Sequence, residues 1–190
     1  MPRLFVALAL PDDIKETLGS LMRGLGDVSW MTDDQLHLTL RFIGDLDNGQ
    51  ANEVADALSL VPGLPFDLRL KGIGHFPPRG EPRVIWTGVE RQPELTALKR
   101  RIDRALQQAG LERDPKKYAP HVTLARLRRP PTEAGLATYL MRHSLYQSSS
   151  FPVSGFKLFS SWLDGHGADY QVEASYDLTP GSDHEEWGIG

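Results

Sequence analysis

Two short stretches, Leu36-His37-Leu38-Thr39-Leu40 and Pro120-His121-Val122-Thr123-Leu124, repeat one pattern, His-x-Thr-x, among apolar residues. Side chains of an extended strand alternate faces, so His37 and Thr39 point one way while Leu36, Leu38 and Leu40 point the other. The leucines belong to a core, the His and Thr to a cleft. The same alternation separates His121 and Thr123 from Val122 and Leu124. Two imidazoles and two hydroxyls can then meet as the halves of one active site. With six His and nine Thr in 190 residues, chance placement gives roughly 0.3 such tripeptides, so a second copy with an apolar middle and a following Leu is a signal. One copy alone would read as a hydrogen-bonded structural imidazole on a half-buried strand; the pair reverses that reading.

The rest of the composition narrows the chemistry. Hydrophobic residues make up 40% and charged residues 24% of the chain, the balance of a soluble globular protein large enough to bury a core. There is no cysteine, which excludes disulfides, thiolate catalysis and Cys-rich zinc sites. Pro2-Arg3 followed by Leu4 to Leu10 has the basic and apolar parts of a signal peptide in miniature. It runs into Pro11-Asp12-Asp13 without a small-residue cleavage site, so a first strand is the better reading. No apolar run approaches the roughly 20 residues that span a bilayer, and the expectation is a cytoplasmic protein.

The formal net charge of −4 argues against a general nucleic-acid coat. The charge is uneven, however: Arg113, Lys116, Lys117, Arg126, Arg128 and Arg129 surround the second motif against one acid, Asp114. A basic run is often a mere solvated face; around this motif it is also suited to attracting a phosphate ester. The tail is acidic through Asp183, Glu185 and Glu186.

Periodicity and breakers give the elements in order. A strand at Leu4–Leu10 leads into a helix reaching about Gly24, with Ile14, Leu18, Leu21 and Met22 as its apolar stripe. Val28–Met31 is a short connection or strand. The first motif strand runs to Ile43, a helix covers Gln50 to Leu60, and a half-buried strand spans Phe66 to Lys71. A loop at His75–Gly80 turns into a strand at Val84–Val89. The longest helix covers Pro93 to Ala109, its outer face charged through Lys99, Arg100, Arg101, Asp103 and Arg104. The second motif strand ends near Leu127, a helix covers Thr132 to His143, and Ser148-Ser149-Ser150 reads as a linker. Two strands, Gly155–Leu163 and Tyr170–Leu178, close the chain around a hairpin loop. Residues 179–190 read as a disordered acidic tail.

Each half thus carries strand, helix and motif strand, which points to a duplicated architecture of α+β class with largely antiparallel sheets. Two histidines of ordinary pKa can serve as acid and base in one turnover, one protonating a leaving oxygen and the other deprotonating a water or hydroxyl. Spacing alone leaves open which does which. The threonine hydroxyls, on the same face, can donate to phosphate oxygens. Such a site needs no metal. His75, His143, His166 and His184 lack ligand spacings, and neither a Lys-bearing phosphate loop nor a nucleophile elbow is present.

Leu36-His37-Leu38-Thr39-Leu40 continued by Arg41-Phe42-Ile43-Gly44-Asp45, and Pro120-His121-Val122-Thr123-Leu124-Ala125-Arg126, resemble the 2H phosphoesterase superfamily. The opening Arg3-Leu4-Phe5-Val6-Ala7 and the closing Phe159-Ser160-Ser161 with Tyr170 are similar to its bacterial and archaeal RNA 2′,3′-cyclic phosphodiesterase branch, formerly called 2′-5′ RNA ligase. The likeness runs from Arg3 to Leu178. It implies one bilobal, pseudo-twofold domain over residues 1–178, two sheets facing across a central cleft with helices outside. It also implies metal-independent opening of an RNA 2′,3′-cyclic phosphate to a 2′-phosphate; no cofactor is expected, and with no coiled-coil heptad or long exposed apolar helix to demand a dimer, a monomer is the default. His37 would be the general acid and His121 the general base, with Thr39 and Thr123 holding the phosphate. Phe42 and Arg126, each five residues beyond its histidine, would contact the terminal base, an aromatic ring and a guanidinium plane being suited to stacking. Simple alternation sends both to the core face instead.

Other substrates would suit the same site: a small cyclic nucleotide, an ADP-ribose cyclic phosphate, or 2′-5′ linked RNA, including reversible ligation. A module that binds nucleotides or RNA ends without turnover is a different class, and intact His and Thr in both motifs speak against it. A metal hydrolase is the remaining alternative.

Overall fold

The computed structural model describes residues 3–164 and 167–179. The centre of the last hairpin loop and the acidic tail, with His166 and His184, lie outside the described residues. Among the described residues, ten strands and four helices follow one another in the order β1 (Arg3–Ala9), α1 (Asp12–Gly19), β2 (Val28–Trp30), β3 (His37–Asp45), α2 (Asn48–Ser59), β4 (Phe66–Leu68), β5 (Leu70–Phe76), β6 (Val84–Val89), α3 (Pro93–Gln108), β7 (His121–Leu127), α4 (Glu133–His143), β8 (Phe151–Val153), β9 (Gly155–Asp164) and β10 (Gly167–Asp177).

Every strand pair is antiparallel, as an α+β fold of hairpins and short connections requires. The large sheet runs β10-β9-β1-β3-β7-β6-β5, with β2 also on β7. Its two lobes, β10-β9-β1-β3 and β7-β6-β5, join at one residue pair, Leu38 opposite Val122. These two residues hold the same place in their motifs, so the pseudo-twofold axis runs between them. A second, two-stranded sheet pairs β4 with β8, again one strand from each half.

The halves are interlaced. Strand β5 follows the first motif in sequence yet completes the second lobe by pairing with β6. Strand β9 follows the second motif yet completes the first lobe by pairing with β1. Helices cover one face: Ile14 and Leu18 of α1, Val54 and Leu58 of α2, Leu95, Leu98, Ile102 and Leu106 of α3 and Tyr139 of α4 share a core with Leu4, Val6, Leu8, Leu38, Leu40, Val122 and Leu124. Burying each aliphatic side chain of this set contributes about 1.5–3 kcal/mol. The opposite face is the cleft.

Several expected boundaries move. Helix α1 stops at Gly19 because glycine and Ser20 are weak helix formers, and a turn carries Leu21 into the core instead. His75 and Phe76 belong to β5, held by the ladder to Ile85 and Val84. The strand expected over Phe66–Lys71 divides at Arg69, since β4 and β5 pair with different partners. Ser148 is no linker: it is buried, and its hydroxyl accepts the Leu70 N–H at 2.9 Å. Lys99 is buried at 5% exposure, although helix charge patterning places it outside. Asp103, one turn on, pairs with its ammonium at 2.6 Å and makes that burial tolerable.

Candidate active site

Strands β3 and β7 bring His37, Thr39, His121 and Thr123 to one face of the sheet. Because the strands meet antiparallel at Leu38 and Val122, His37 stands across from Thr123 and Thr39 across from His121. Each lobe therefore contributes one imidazole and one hydroxyl. All four side chains are half-buried, and the residues between them, Leu38 and Val122, are fully buried.

Both strands then break the alternation at the same place. Ala7 stands opposite Thr39 and Val6 opposite Arg41, leaving Leu40 without a partner. Trp86 stands opposite Thr123 and Ile85 opposite Ala125, leaving Leu124 without one. An extra residue of this kind is a β-bulge, which resets the facing of everything after it. Leu40 and Arg41 are consecutively buried, as are Leu124 and Ala125. Phe42 and Arg126 consequently return to the cleft face and are exposed, Phe42 at 70%. The core placement expected from simple alternation is wrong for both.

The two imidazoles are tied in the same way. The Nδ1 of His37 lies 2.8 Å from the Gln35 carbonyl oxygen, and that of His121 lies 2.7 Å from the Ala119 carbonyl oxygen. A carbonyl only accepts, so each Nδ1 carries the proton and donates, leaving Nε2 for chemistry in the cleft. Aromatic rings back both. His37 packs against Phe5 at 4.9 Å and meets Tyr170 edge-on at 5.2 Å. His121 meets Phe76 edge-on at 5.0 Å, with Trp86 at 6.4 Å. Burial lowers the pKa of His37 from 6.5 to about 4; the charges of Arg126 and His121 push the same way, and the hydrogen bond to Gln35 opposes them.

Beneath β3, on the helix side, a charged cluster fixes the lead-in to the second motif. The bulge turns Arg41 inward, where its guanidinium lies 3.7 Å from Asp103 of α3 and 3.6 Å from Asp114, and it donates to the Glu112 carbonyl. Tyr118 donates to the Thr39 carbonyl at 3.4 Å, and its ring lies under the Lys99 ammonium at 5.4 Å. Burial, with the charge of Asp103, raises the Tyr118 pKa and keeps the hydroxyl protonated. Asp114 is the acid that interrupts the basic stretch around the second motif. With Asp114 facing Arg41, the exposed Arg113, Lys116 and Lys117 keep their positive charge toward solvent.

Sequence reasoning found the four motif side chains and missed the parts that act through backbone. Paired bulges leave no mark in a hydrophobic pattern except two consecutive core residues, Leu40-Arg41 and Leu124-Ala125, and the arginine hides the first. His75 Nδ1 lies 2.8 Å from the Pro77 carbonyl oxygen, and His143 packs on Tyr139 at 4.8 Å. Two hollows of about 800 and 610 Å³, one between α2 and α3 and one between α2 and the β9–β10 side, include no motif residue. Among the described residues no three His, Cys, Asp or Glu gather into a metal-ligating group, and no helix is long and apolar enough to cross a membrane.

Known proteins are similar to this chain along most of its length. An RNA 2′,3′-cyclic phosphodiesterase of Archaeoglobus fulgidus is 33% identical over 172 residues, covering 89% of this chain and 96% of the relative. One of Thermotoga maritima is 32% identical over 182 residues, covering 90% and 92%. A crystal structure from Thermus thermophilus superimposes with a TM-score of 0.78 at 26% identity, covering 94% of this chain and 98% of that one. Escherichia coli LigT complexed with 3′-AMP shares the fold at a TM-score of 0.73 and 23% identity, covering 94% and 99%. The model of the 2′-5′ RNA ligase superfamily matches residues 10–163. With two His-x-Thr-x strands meeting on their own twofold axis, the chain is a 2H phosphoesterase and belongs to the 2′-5′ RNA ligase superfamily.

Proposed function

We propose that this chain is an RNA 2′,3′-cyclic phosphodiesterase that opens the terminal cyclic phosphate by acid and base catalysis between two histidines, without a metal. The observation that carries the reading is the seam at Leu38 and Val122, which puts two identically tied imidazoles and two hydroxyls on one face. His121 Nε2 accepts a proton from water as the water oxygen bonds to phosphorus. The P–O3′ bond breaks, and His37 Nε2 gives its proton to O3′. The products are a 2′-phosphate and a free 3′ hydroxyl. Thr39 and Thr123 donate hydrogen bonds to the non-bridging oxygens, and each histidine supplies roughly 10²- to 10⁴-fold in rate.

His37 is neutral in the free site at neutral pH, so its role as acid requires that the substrate bring the proton's stability with it. A phosphodiester anion beside the imidazole raises its pKa, and binding then takes up a proton. Phe42, open on the cleft, and Arg126 across the seam flank the terminal base. Both histidines come from one chain, so the site is complete in a monomer.

The deciding experiment incubates the protein, in excess chelator, with a short RNA ending in a 2′,3′-cyclic phosphate. A 2′-phosphate product is expected. A 3′-phosphate would reverse the substrate's orientation, and bound but unconverted RNA would turn the reading into a binding module. Replacing Phe42 with Ala should raise KM about 5- to 100-fold with little change in kcat, the range that loss of one stacked base implies. An unchanged KM would remove Phe42 from the base site.

A further inference from the structure

We propose that Gln35 is a positioning residue for His37, fastening the imidazole's hydrogen-bond partner to the β9–β10 hairpin. The proposal rests on the two-histidine reading above. Four atoms of this one residue are engaged, its own N–H donating to the Thr32 carbonyl at 2.9 Å. Its carbonyl oxygen accepts from His37 Nδ1 at 2.8 Å. Its side-chain Oε1 accepts the Thr32 N–H at 3.1 Å. Its Nε2 donates to the Ala168 carbonyl in β10 at 2.8 Å, across 133 positions of sequence.

The far end of that clasp returns to the same imidazole. Tyr170 lies two residues beyond Ala168 on β10 and stands edge-on to His37, with centroids 5.2 Å apart and planes at 89°. It also stands edge-on to Phe5, which stacks on Phe159 of β9 and packs against His37. The carbonyl that fixes the tautomer and the ring that walls the imidazole are thus joined through one amide side chain.

The second lobe has no such device. Ala119 is the equivalent residue, two before His121, and it offers His121 a carbonyl at 2.7 Å and only a methyl group beyond it. The lobes therefore differ in how their histidines are held. A carbonyl that can swing lets its imidazole turn or exchange tautomers, and a misplacement of the order of 1 Å at a reacting atom can cost about 10²-fold in rate.

Two substitutions separate the contacts. Gln35→Glu keeps the shape and an acceptor for the Thr32 N–H, but sets an oxygen against the Ala168 carbonyl. Gln35→Leu removes donor and acceptor together. The ring nitrogens of both site histidines are read by ¹⁵N NMR in the ligand-free protein at about pH 8.5, above the ordinary imidazole range. Steady-state kcat and KM follow on RNA ending in a 2′,3′-cyclic phosphate.

In the parent protein His37 should show the Nδ1–H tautomer alone. In both variants its signals should become a tautomer mixture, those of His121 should stay fixed, and kcat should fall about tenfold with KM held within about twofold. His121 reports that the variants fold. A single His37 tautomer in both variants, or a change confined to KM, would overturn the proposal. His37→Ala and His121→Ala in the same assay guard the reading beneath it. If they retain full activity, the two-histidine chemistry fails, while the tautomer signals still judge Gln35.

Discussion

At the residue scale, the lowered pKa of His37 has a consequence for stability that its chemistry does not share. The folded protein holds this imidazole neutral down to about pH 4, whereas an unfolded chain protonates it near 6.5. Between those values the unfolded state binds more protons, so stability rises with pH. The contribution is fully present above pH 6.5 and is lost as pH falls toward 4. At one pKa unit per 1.36 kcal/mol it amounts to roughly 3 kcal/mol at most. Urea denaturation at pH 7.5 and 4.5 should show a drop in the parent that is smaller in His37→Gln; equal drops would contradict the burial of this ring. The same coupling has the opposite sign for a ligand. A nucleoside 2′-phosphate should bind with proton uptake at pH 6.5, read from the buffer dependence of the calorimetric heat, and His37→Gln should abolish it.

At the scale of elements, Arg41 shows what a strand can hide. Read by alternation it belongs beside the histidines; the bulge at Leu40 turns it toward Asp103 and Asp114 instead. It ties β3, α3 and the segment leading to His121 together from behind. Arg41→Ala leaves Asp114 without its cation while Lys99 still neutralises Asp103, so a loss of about 3 kcal/mol is expected, the low end for breaking a buried ion pair. A shift in the urea midpoint measures it, and an unchanged midpoint would show the cluster to be idle. The motif strands, the long helix and the antiparallel class were legible because periodicity reports burial. The bulges, the inward turn of Lys99 and the splitting at Arg69 were not, because each depends on a partner strand or a counter-charge distant in sequence. Gln35 was invisible for a similar reason: its meaning lies in a carbonyl of β10.

For the molecule as a whole, neither lobe owns all its strands. The first lobe's β1 has β3 on one side and needs β9 on the other, while β5 has gone to close the second lobe. A chain stopped at Ser154 should therefore lose more than a C-terminal hairpin. It bares the edge of β1 beside Val6 and Leu8, and thermal or urea melts should show no cooperative transition; a sharp one would mean that β1 and β3 suffice. The interlacing also sets an order of events at the ribosome. The second lobe receives its closing strand before its own motif strand has been made, whereas the first waits, with its opening strand already synthesised, until β9 emerges after the second motif. Of the two halves of the active site, the one made first is thus the one finished second, and the unpaired edge of β1 is what a nascent chain must keep from its neighbours until β9 has been made.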